Sequence, residues 1–141
     1  MILLDTNVIS ELVRAEPNPA VLAYIDGLAP ESLFTASVCE AEIRYGLARM
    51  AVGRRREELI ARIDRFFEKG FSDQVLPFDH LCATAYGEIR QEREAAGKPI
   101  TVEDAMIAAT AVAYGMAGLA TRNIKDFVAC GVTLIDPWQV G

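Results

Sequence analysis

The chain is poor in the residues that build zinc sites and disulfide scaffolds. Among its 141 residues there is one histidine, His80, and there are three cysteines without C-x-x-C spacing. So few histidines and cysteines, without zinc-site spacing, disfavour a zinc site. Cys39, Cys82 and Cys130 are therefore predicted to be small, buried, unpaired residues of a protein in a reducing, cytoplasmic compartment.

Long hydrophobic runs are also missing. No positively charged segment precedes the first apolar run, and Asp5 interrupts that run, so no signal peptide is predicted. The longest uncharged stretch, residues 105–121, is rich in alanine and contains Gly115 and Gly118. A buried helix running into a strand explains it better than a membrane span, and we expect no membrane association.

The chain lacks an excess of positive charge. It has 14 Lys and Arg against 20 Asp and Glu, a net charge of -6, which argues against nucleic-acid binding by bulk charge. The basic residues are nevertheless concentrated, since residues 44–69 hold eight of them and only four acids. Within that segment Arg54, Arg55 and Arg56 are candidates for guiding an RNA backbone, and the alternative is a solvated helix face held by salt pairs.

Apolar residues, in contrast, are plentiful. They make up 52% of the chain, and the mean hydropathy is +0.20, which excludes a disordered chain and predicts a packed core. A chain of this length buries roughly 70% of its unfolded surface when it folds as one unit. We therefore predict a single domain spanning residues 1–141.

Strand and helix signals alternate along the chain. One helix signal is Ser37 followed by Glu40, the spacing of a capping box. The predicted strands cover 2–5, 33–36, 74–78, 119–121 and 132–135. The predicted helices cover 6–14, 18–27, 37 to a break at Gly53, 54–69, 79–96, 101–115 and 123–129. The connections are too long for hairpins, so the pattern predicts an α/β fold with a parallel sheet of four to five strands and helices on both faces.

Three acidic residues follow apolar strands or helix-start signals. Asp5 ends the first strand, Glu42 lies on the predicted helix that starts at Ser37, and Asp104 lies in the first turn of the alanine-rich helix. Ligands bind at the carboxyl ends of strands in such sheets, so acids gathered there indicate a hydrated divalent cation, above all Mg²⁺. A cation of this kind turns a bound water into a nucleophile. The three acids therefore predict metal-assisted hydrolysis of a phosphodiester.

Each acid also has a structural interpretation. Asp5 could only cap the first helix, and Asp104 lies three residues after Thr101, where the acidic partner of a capping box belongs. Glu42 could be an ordinary surface residue. Carboxylates held together repel one another, however, and a fold accepts that repulsion readily when a divalent cation neutralises it.

Five short motifs occur in a fixed order. They are Leu3-Leu4-Asp5-Thr6-Asn7, Ser37 with Glu42 and Gly46, Asp104-Ala105-Met106-Ile107-Ala108-Ala109, Leu119-Ala120-Thr121-Arg122-Asn123 followed by Asp126-Phe127, and Pro137-Trp138. The ordered set resembles the PIN-domain ribonucleases, and most of all the VapC and FitB toxins of bacterial type II toxin-antitoxin pairs. The resemblance spans the whole chain.

The resemblance implies an endoribonuclease that depends on Mg²⁺, or on Mn²⁺ in its place. It also implies a homodimer and a small DNA-binding antitoxin similar to VapB or FitA as partner. On this chain the acidic metal and catalytic site would consist of Asp5, Glu42 and Asp104. The residues that would support that site are Thr6, Asn7, Ser37 and Thr121.

One position departs from the family pattern. Many members have a fourth acid where this chain has Asn123. An amide oxygen can still bind a cation or orient a water, but it lowers the negative charge of the site and puts a second metal ion in doubt. Asn123 and Asp126 are therefore candidates for a further ligand or for water positioning, and Asp126 could instead only support the short helix from Asn123.

Three alternatives remain open from the sequence. A phosphatase of the haloacid-dehalogenase type would need a second aspartate where Asn7 stands. A response-regulator receiver would need an aspartate at the end of a strand in mid-chain, and none is predicted there. The third alternative is a catalytically inactive PIN-like binding module, which retention of Asp5, Glu42 and Asp104 disfavours.

Overall fold

The computed structural model describes residues 1–139, and its centre is a five-stranded sheet in which every neighbouring pair is parallel. The strands are β1 (Ile2–Leu4), β2 (Leu33–Ala36), β3 (Val75–Leu76), β4 (Gly118–Ala120) and β5 (Leu134–Ile135). Their order across the sheet is β3-β2-β1-β4-β5. The predicted α/β fold with a parallel sheet is confirmed. The last two residues of the predicted 1–141 domain lie outside the described part of the chain.

Six α-helices connect these strands. They are α1 (Thr6–Leu12), α2 (Pro19–Asp26), α3 (Ser37–Arg49), α4 (Arg54–Arg65), α5 (His80–Ala95) and α6 (Val102–Ala113). Three helix starts follow the sequence signals, because Asn18, Asp79 and Thr101 each accept a hydrogen bond from a backbone N–H of the first turn.

The core lies between the sheet and these helices. Leu3 and Leu4 of β1 are both fully buried, as expected for the central strand of a covered parallel sheet. The small side chains of α6 have a packing role, since Ala105, Ala108 and Ala109 are also fully buried and α6 packs closely against α5. Cys39, Cys82 and Cys130 are buried and unpaired, as the sequence predicted.

The strand order places a crevice next to β1. The chain runs outward from β1 to β2 and β3, and it then crosses to β4 and β5 on the other side. Such a reversal of strand order is where open α/β sheets bind their ligands, at the carboxyl ends of the strands. Asp5 and Thr121 directly follow β1 and β4, and the Asp5 N–H donates to the Ala120 carbonyl at 2.9 Å. The crevice therefore opens beside these two residues.

The predicted capping box at Ser37 is wrong. Because α3 begins directly after β2, Ser37 is its first helical residue, and Ala36 before it offers no side-chain cap. The Ser37 hydroxyl instead accepts a hydrogen bond from the Phe78 N–H at 3.3 Å. Glu40 pairs with Arg44 at 3.2 Å on the same helix.

Several predicted boundaries also differ from the structure. Of the predicted strand 74–78, only the two residues of β3 are in the sheet. Pro77 follows them, and it has no N–H to continue the ladder of hydrogen bonds. The predicted helix 54–69 ends its α-helical part at Arg65 and continues as a wide π-helical turn, Phe66–Gly70. In place of the predicted helix 123–129 there is one 3-10 turn, Ile124–Asp126.

Candidate functional site

Asp5 lies at the floor of the crevice and is only 4% exposed. One carboxylate oxygen, Oδ1, accepts a hydrogen bond from the Thr6 N–H at 2.8 Å. The other, Oδ2, accepts from the Thr121 hydroxyl at 2.7 Å. Asp5 therefore caps α1 and also presents a fixed carboxylate between β1 and β4, and the metal-binding role stays a prediction.

Burial dominates the electrostatics of Asp5. Loss of water raises its pKa from 3.8 to about 6, although the hydrogen bonds from Thr121 and Thr6 act in the opposite direction. The negative charges of Asp104 and Glu42 raise the pKa further. All three predicted acids thus lie near enough to influence one another.

Glu42 is linked to the same place through Thr6. The Thr6 hydroxyl donates to Oε1 of Glu42 at 2.6 Å, while the Thr6 N–H is the donor to Asp5. Thr6, the first residue of α1, therefore positions two of the acids, Asp5 before it and Glu42 on α3. Glu42 is not an isolated surface glutamate.

Asp104 enters the site from the first turn of α6. Its N–H donates to the Thr101 hydroxyl at 3.2 Å, so Thr101 caps this helix. The Asp104 carboxylate is half-buried, and burial raises its pKa, with a hydrogen bond from Thr101 offsetting part of the effect. The charges of Asp126 and Glu42 raise the pKa further.

Asn7 and Asn123 have backbone contacts at the edge of the site. The Asn7 side-chain oxygen accepts from the Arg122 N–H at 3.3 Å, which ties α1 to the segment after β4. Asn123 is exposed, and its N–H donates to the Thr121 hydroxyl at 3.0 Å. The Asn123 backbone thereby orients the same hydroxyl that fixes Asp5.

The three consecutive arginines lie away from these acids at the start of α4. Arg54 is 92% exposed and pairs with Glu58 at 3.3 Å, and Arg55 is exposed. Arg56 is half-buried, and its Nε has no hydrogen-bond partner among the described residues. Within residues 1–139, no hydrogen bond or ion pair connects these arginines to Asp5, Glu42 or Asp104.

An open apolar groove of ≈ 740 Å³ adjoins Glu42. Its walls come from α3, from the start of α6 and from the segment after β3. The lining side chains include Val38, Tyr45, Phe78 and Met106. Of the three predicted acids, Glu42 lines this groove, so an extended ligand lying in it would reach Glu42.

Sequence reasoning missed Arg93. This residue of α5 is buried, and its guanidinium donates to the backbone carbonyls of Lys98, Asp126 and Val128. In the sequence it is one of several charged residues in a helical segment, as is the half-buried Arg90, and its spacing of four residues from Ile89 is a weak signal by itself. The role of Arg93 becomes visible only from its contacts with the segment after β4.

The acids do not form a complete metal cage by themselves. Among residues 1–139 there is no group of three or more His, Cys, Asp or Glu side chains that could hold a metal ion. Mg²⁺ does not need such a group, because it binds through one or two carboxylates and keeps several waters. The donor set is entirely of hard oxygen, and the carboxylates are close enough to raise the pKa of Asp5, so these residues fit a cation bound in that manner.

Over the described residues, no helix combines the length and the apolar character that a bilayer span requires.

Comparison with known proteins places this geometry in a family context. The PIN domain family model matches residues 2–129. The chain is 44% identical to the plasmid stability protein StbB of Pseudomonas syringae pv. tomato and 43% identical to the VapC ribonuclease Y4jK of Sinorhizobium fredii, in both cases over 99% of each chain. Among solved structures, that of FitAB bound to an IR36 DNA fragment aligns with a TM-score of 0.90 and 38% identity, covering 100% of this chain and 98% of that one.

Proposed function

Since this chain belongs to the PIN-domain family, we propose that it is a metal-dependent endoribonuclease acting as the toxin of a toxin-antitoxin pair. Its substrate is RNA, and its reaction is hydrolysis of a phosphodiester bond beside Asp5, Glu42 and Asp104. The observation that carries the proposal is the convergence of these three acids at the crevice between β1 and β4, two of them fixed by threonines. The likeness to a protein named VapC ribonuclease supports the choice of RNA.

The residues of the chain supply position and negative charge. Thr121 and the Thr6 N–H hold the two oxygens of Asp5, and the Thr6 hydroxyl holds Glu42. Asp104 adds a third carboxylate from the first turn of α6. Mg²⁺, or Mn²⁺ as a substitute, would be held by these carboxylates and would supply the positive charge that activates water and stabilises the phosphate oxygens.

The proposal includes two partners. The first is a small DNA-binding antitoxin of the VapB or FitA type, and the solved FitAB complex with DNA supports it. The second is another copy of this chain, in a homodimer, which follows from the family resemblance. The free toxin would cleave RNA, and the antitoxin complex would be silent.

The first prediction is that RNA cleavage requires both the cation and Asp104. The purified chain should cut single-stranded RNA in Mg²⁺ or Mn²⁺ and stop when EDTA is added, because water needs the charge of the cation to become a nucleophile near neutral pH. Asp104→Asn should abolish cleavage while the protein remains folded by circular dichroism. A gel assay of RNA fragments measures both effects.

Glu88→Gln is the matched control, because Glu88 is an exposed acid on α5 and no described contact links it to the site. It should cleave RNA like the wild type. Undiminished cleavage in EDTA would overturn the metal-dependent reaction. A folded wild type that binds RNA without cutting it in either cation would favour the inactive binding module instead.

A further inference from the structure

Arg93 is a buried cation whose guanidinium donates hydrogen bonds to backbone carbonyls. The residue is 5% exposed, and among residues 1–139 no carboxylate pairs with it. Its Nε donates to the Lys98 carbonyl at 2.7 Å, and its Nη1 donates to the carbonyls of Asp126 at 2.8 Å and Val128 at 3.1 Å. A buried charge is retained only when its donors are satisfied, and here most of its acceptors lie in one short segment after β4. Arg93 therefore fixes the path of that segment.

The segment held by Arg93 has an uncommon backbone. Ala129 has a φ of 61°, in the left-handed region that is unfavourable for residues other than glycine, asparagine and aspartate. Val128 before it and Cys130 after it both accept from Nη1 of Arg93, the latter through sulfur at 3.7 Å. Phe127 anchors the same segment in the core at 1% exposure. The surrounding contacts thus enforce a turn that the local sequence does not favour.

Asp126 begins the segment that Arg93 holds, and it lies near Asp104. Both acids line a pocket of ≈ 110 Å³ together with Arg93 and Thr101. Asn123, the other candidate for a fourth ligand, is exposed. The acid beside Asp104 is therefore Asp126.

We propose that Arg93 is a positioning residue for the carboxylate site: it clamps the backbone of residues 126–130 and so holds the Asp126 carboxylate beside Asp104 as the fourth acid of the site. The clamp acts through Asp126, and Arg93 itself does not contact the reacting atoms. The role of Asp126 rests on the proposed metal-dependent function, whereas the clamp on the backbone is independent of it.

A double-mutant cycle tests the proposal. Arg93→Leu and Asp126→Asn are made singly and together, and each protein is examined for kcat in RNA cleavage and for the Mg²⁺ concentration that half-maximally raises its Tm. Arg93→Leu alone should weaken both by about 10- to 100-fold, as removal of a residue that orients a ligand does. In the Asp126→Asn background the same change should cause little further loss, because the residue it positions is already neutral.

Two further variants keep the outcome decisive. Arg90→Leu removes a neighbouring arginine of α5 that contacts Tyr86 and Glu94, and it should leave kcat and the Mg²⁺ response unchanged. If Arg93→Leu fails to fold, Arg93→Lys replaces it in the cycle, since lysine keeps the charge and a donor but not the planar fork.

Equal losses from the Arg93 substitution in both Asp126 backgrounds would overturn the proposal and leave a merely stabilising arginine. So would a wild type whose Tm ignores Mg²⁺. If the wild type cleaves no RNA, the proposed function fails, but the Mg²⁺ titrations of the four proteins still decide whether Arg93 acts through Asp126. The two failures are therefore distinguishable.

Discussion

At the scale of single residues, Asp5 combines a helix-capping role with a buried position at the crevice beside β1 and β4. Its two carboxylate oxygens serve different neighbours, one on α1 and one after β4. Burying a carboxylate in this way has a free-energy cost, since its pKa rises to about 6. A fold that keeps such a group is less stable than it could be, and it gains a negative charge that is already in position.

The second prediction follows from this cost. Burial raises the pKa of Asp5 from 3.8 to about 6, so between those values the folded state binds more protons than the unfolded state. The free energy of unfolding of the metal-free protein should therefore fall as the pH rises from 4 to 6 and then level off. Asp5→Asn should reduce this dependence and stabilise the protein at pH 7 by on the order of 1 to 2 kcal/mol.

Urea unfolding at pH 5, 6 and 7 in EDTA measures the effect. The expected gain is smaller than the roughly 3 kcal/mol that a two-unit pKa shift represents, because the asparagine amide must reorganise the hydrogen bond with Thr121. Glu88→Gln serves again as the control and should follow the wild type at each pH. An Asp5→Asn protein that is less stable than the wild type at pH 7 would show that the hydrogen bonds outweigh desolvation.

At the scale of elements, some arginines of the basic segment join neighbouring elements and others are exposed to solvent. Arg44 pairs with Glu40 of its own helix and with Asp64 of α4 at 2.6 Å, which joins α3 to α4. Arg62 donates to the Val13 carbonyl at 3.5 Å. The exposed basic residues are spread along the segment. They are Arg49, Arg54, Arg55, Arg65 and Lys69, and Arg54 pairs with Glu58.

The third prediction concerns the start of α4. If Arg54, Arg55 and Arg56 guide the RNA backbone, replacing all three with glutamine should weaken RNA binding. It should also reduce the slope of log affinity against log salt by about one unit for each lost phosphate contact. Fluorescence anisotropy with the free toxin, in EDTA to prevent cleavage, measures the slope.

Lys69→Gln, at the far end of the same basic segment, is the control and should leave the slope nearly unchanged. The interpretation as a solvated helix face predicts no change in slope for the triple variant either. That result would remove the three arginines from the RNA path without affecting the carboxylate site.

At the scale of the whole molecule, α1 and α4 leave a cleft on the surface. Its volume is ≈ 600 Å³, and Leu12, Val13 and Phe66 contribute apolar side chains beside Arg62 and Arg65. Grooves of this kind bind an amphipathic helix or an extended tail of a partner protein. The cleft is therefore the expected contact surface for the antitoxin.

The fourth prediction tests that surface. Co-expression with the antitoxin should give a stable complex and relieve growth arrest, and size-exclusion chromatography should show two toxin chains in each particle. Val13→Lys should weaken the complex, because it places a charge among the apolar side chains, while the free toxin still cleaves RNA. Val52→Lys is the matched control, since Val52 is 86% exposed outside the cleft.

Retention of full antitoxin affinity by Val13→Lys would move the contact elsewhere on the surface. Toxicity that the antitoxin leaves unchanged would contradict the partner itself.

The sequence by itself determined the class of fold and the identity of the main acids. Alternating apolar runs and caps are local signals, and they predicted the parallel sheet and the helix starts at Asn18, Asp79 and Thr101. The acids Asp5, Glu42 and Asp104 were recognisable because each follows such a signal. The negative charges of the neighbouring acids raise the pKa of Asp5 and of Asp104, which agrees with their predicted proximity.

Tertiary structure alone decided how these residues are held. Ser37 bonds to the Phe78 N–H instead of capping its helix, because β2 runs directly into α3. The predicted helix 123–129 became a short turn, because Arg93 from α5 holds the backbone around Ala129 in a conformation that local propensity opposes. Contacts between segments more than 30 residues apart leave no periodic trace in the sequence, so only the folded chain shows which carboxylate lies beside Asp104.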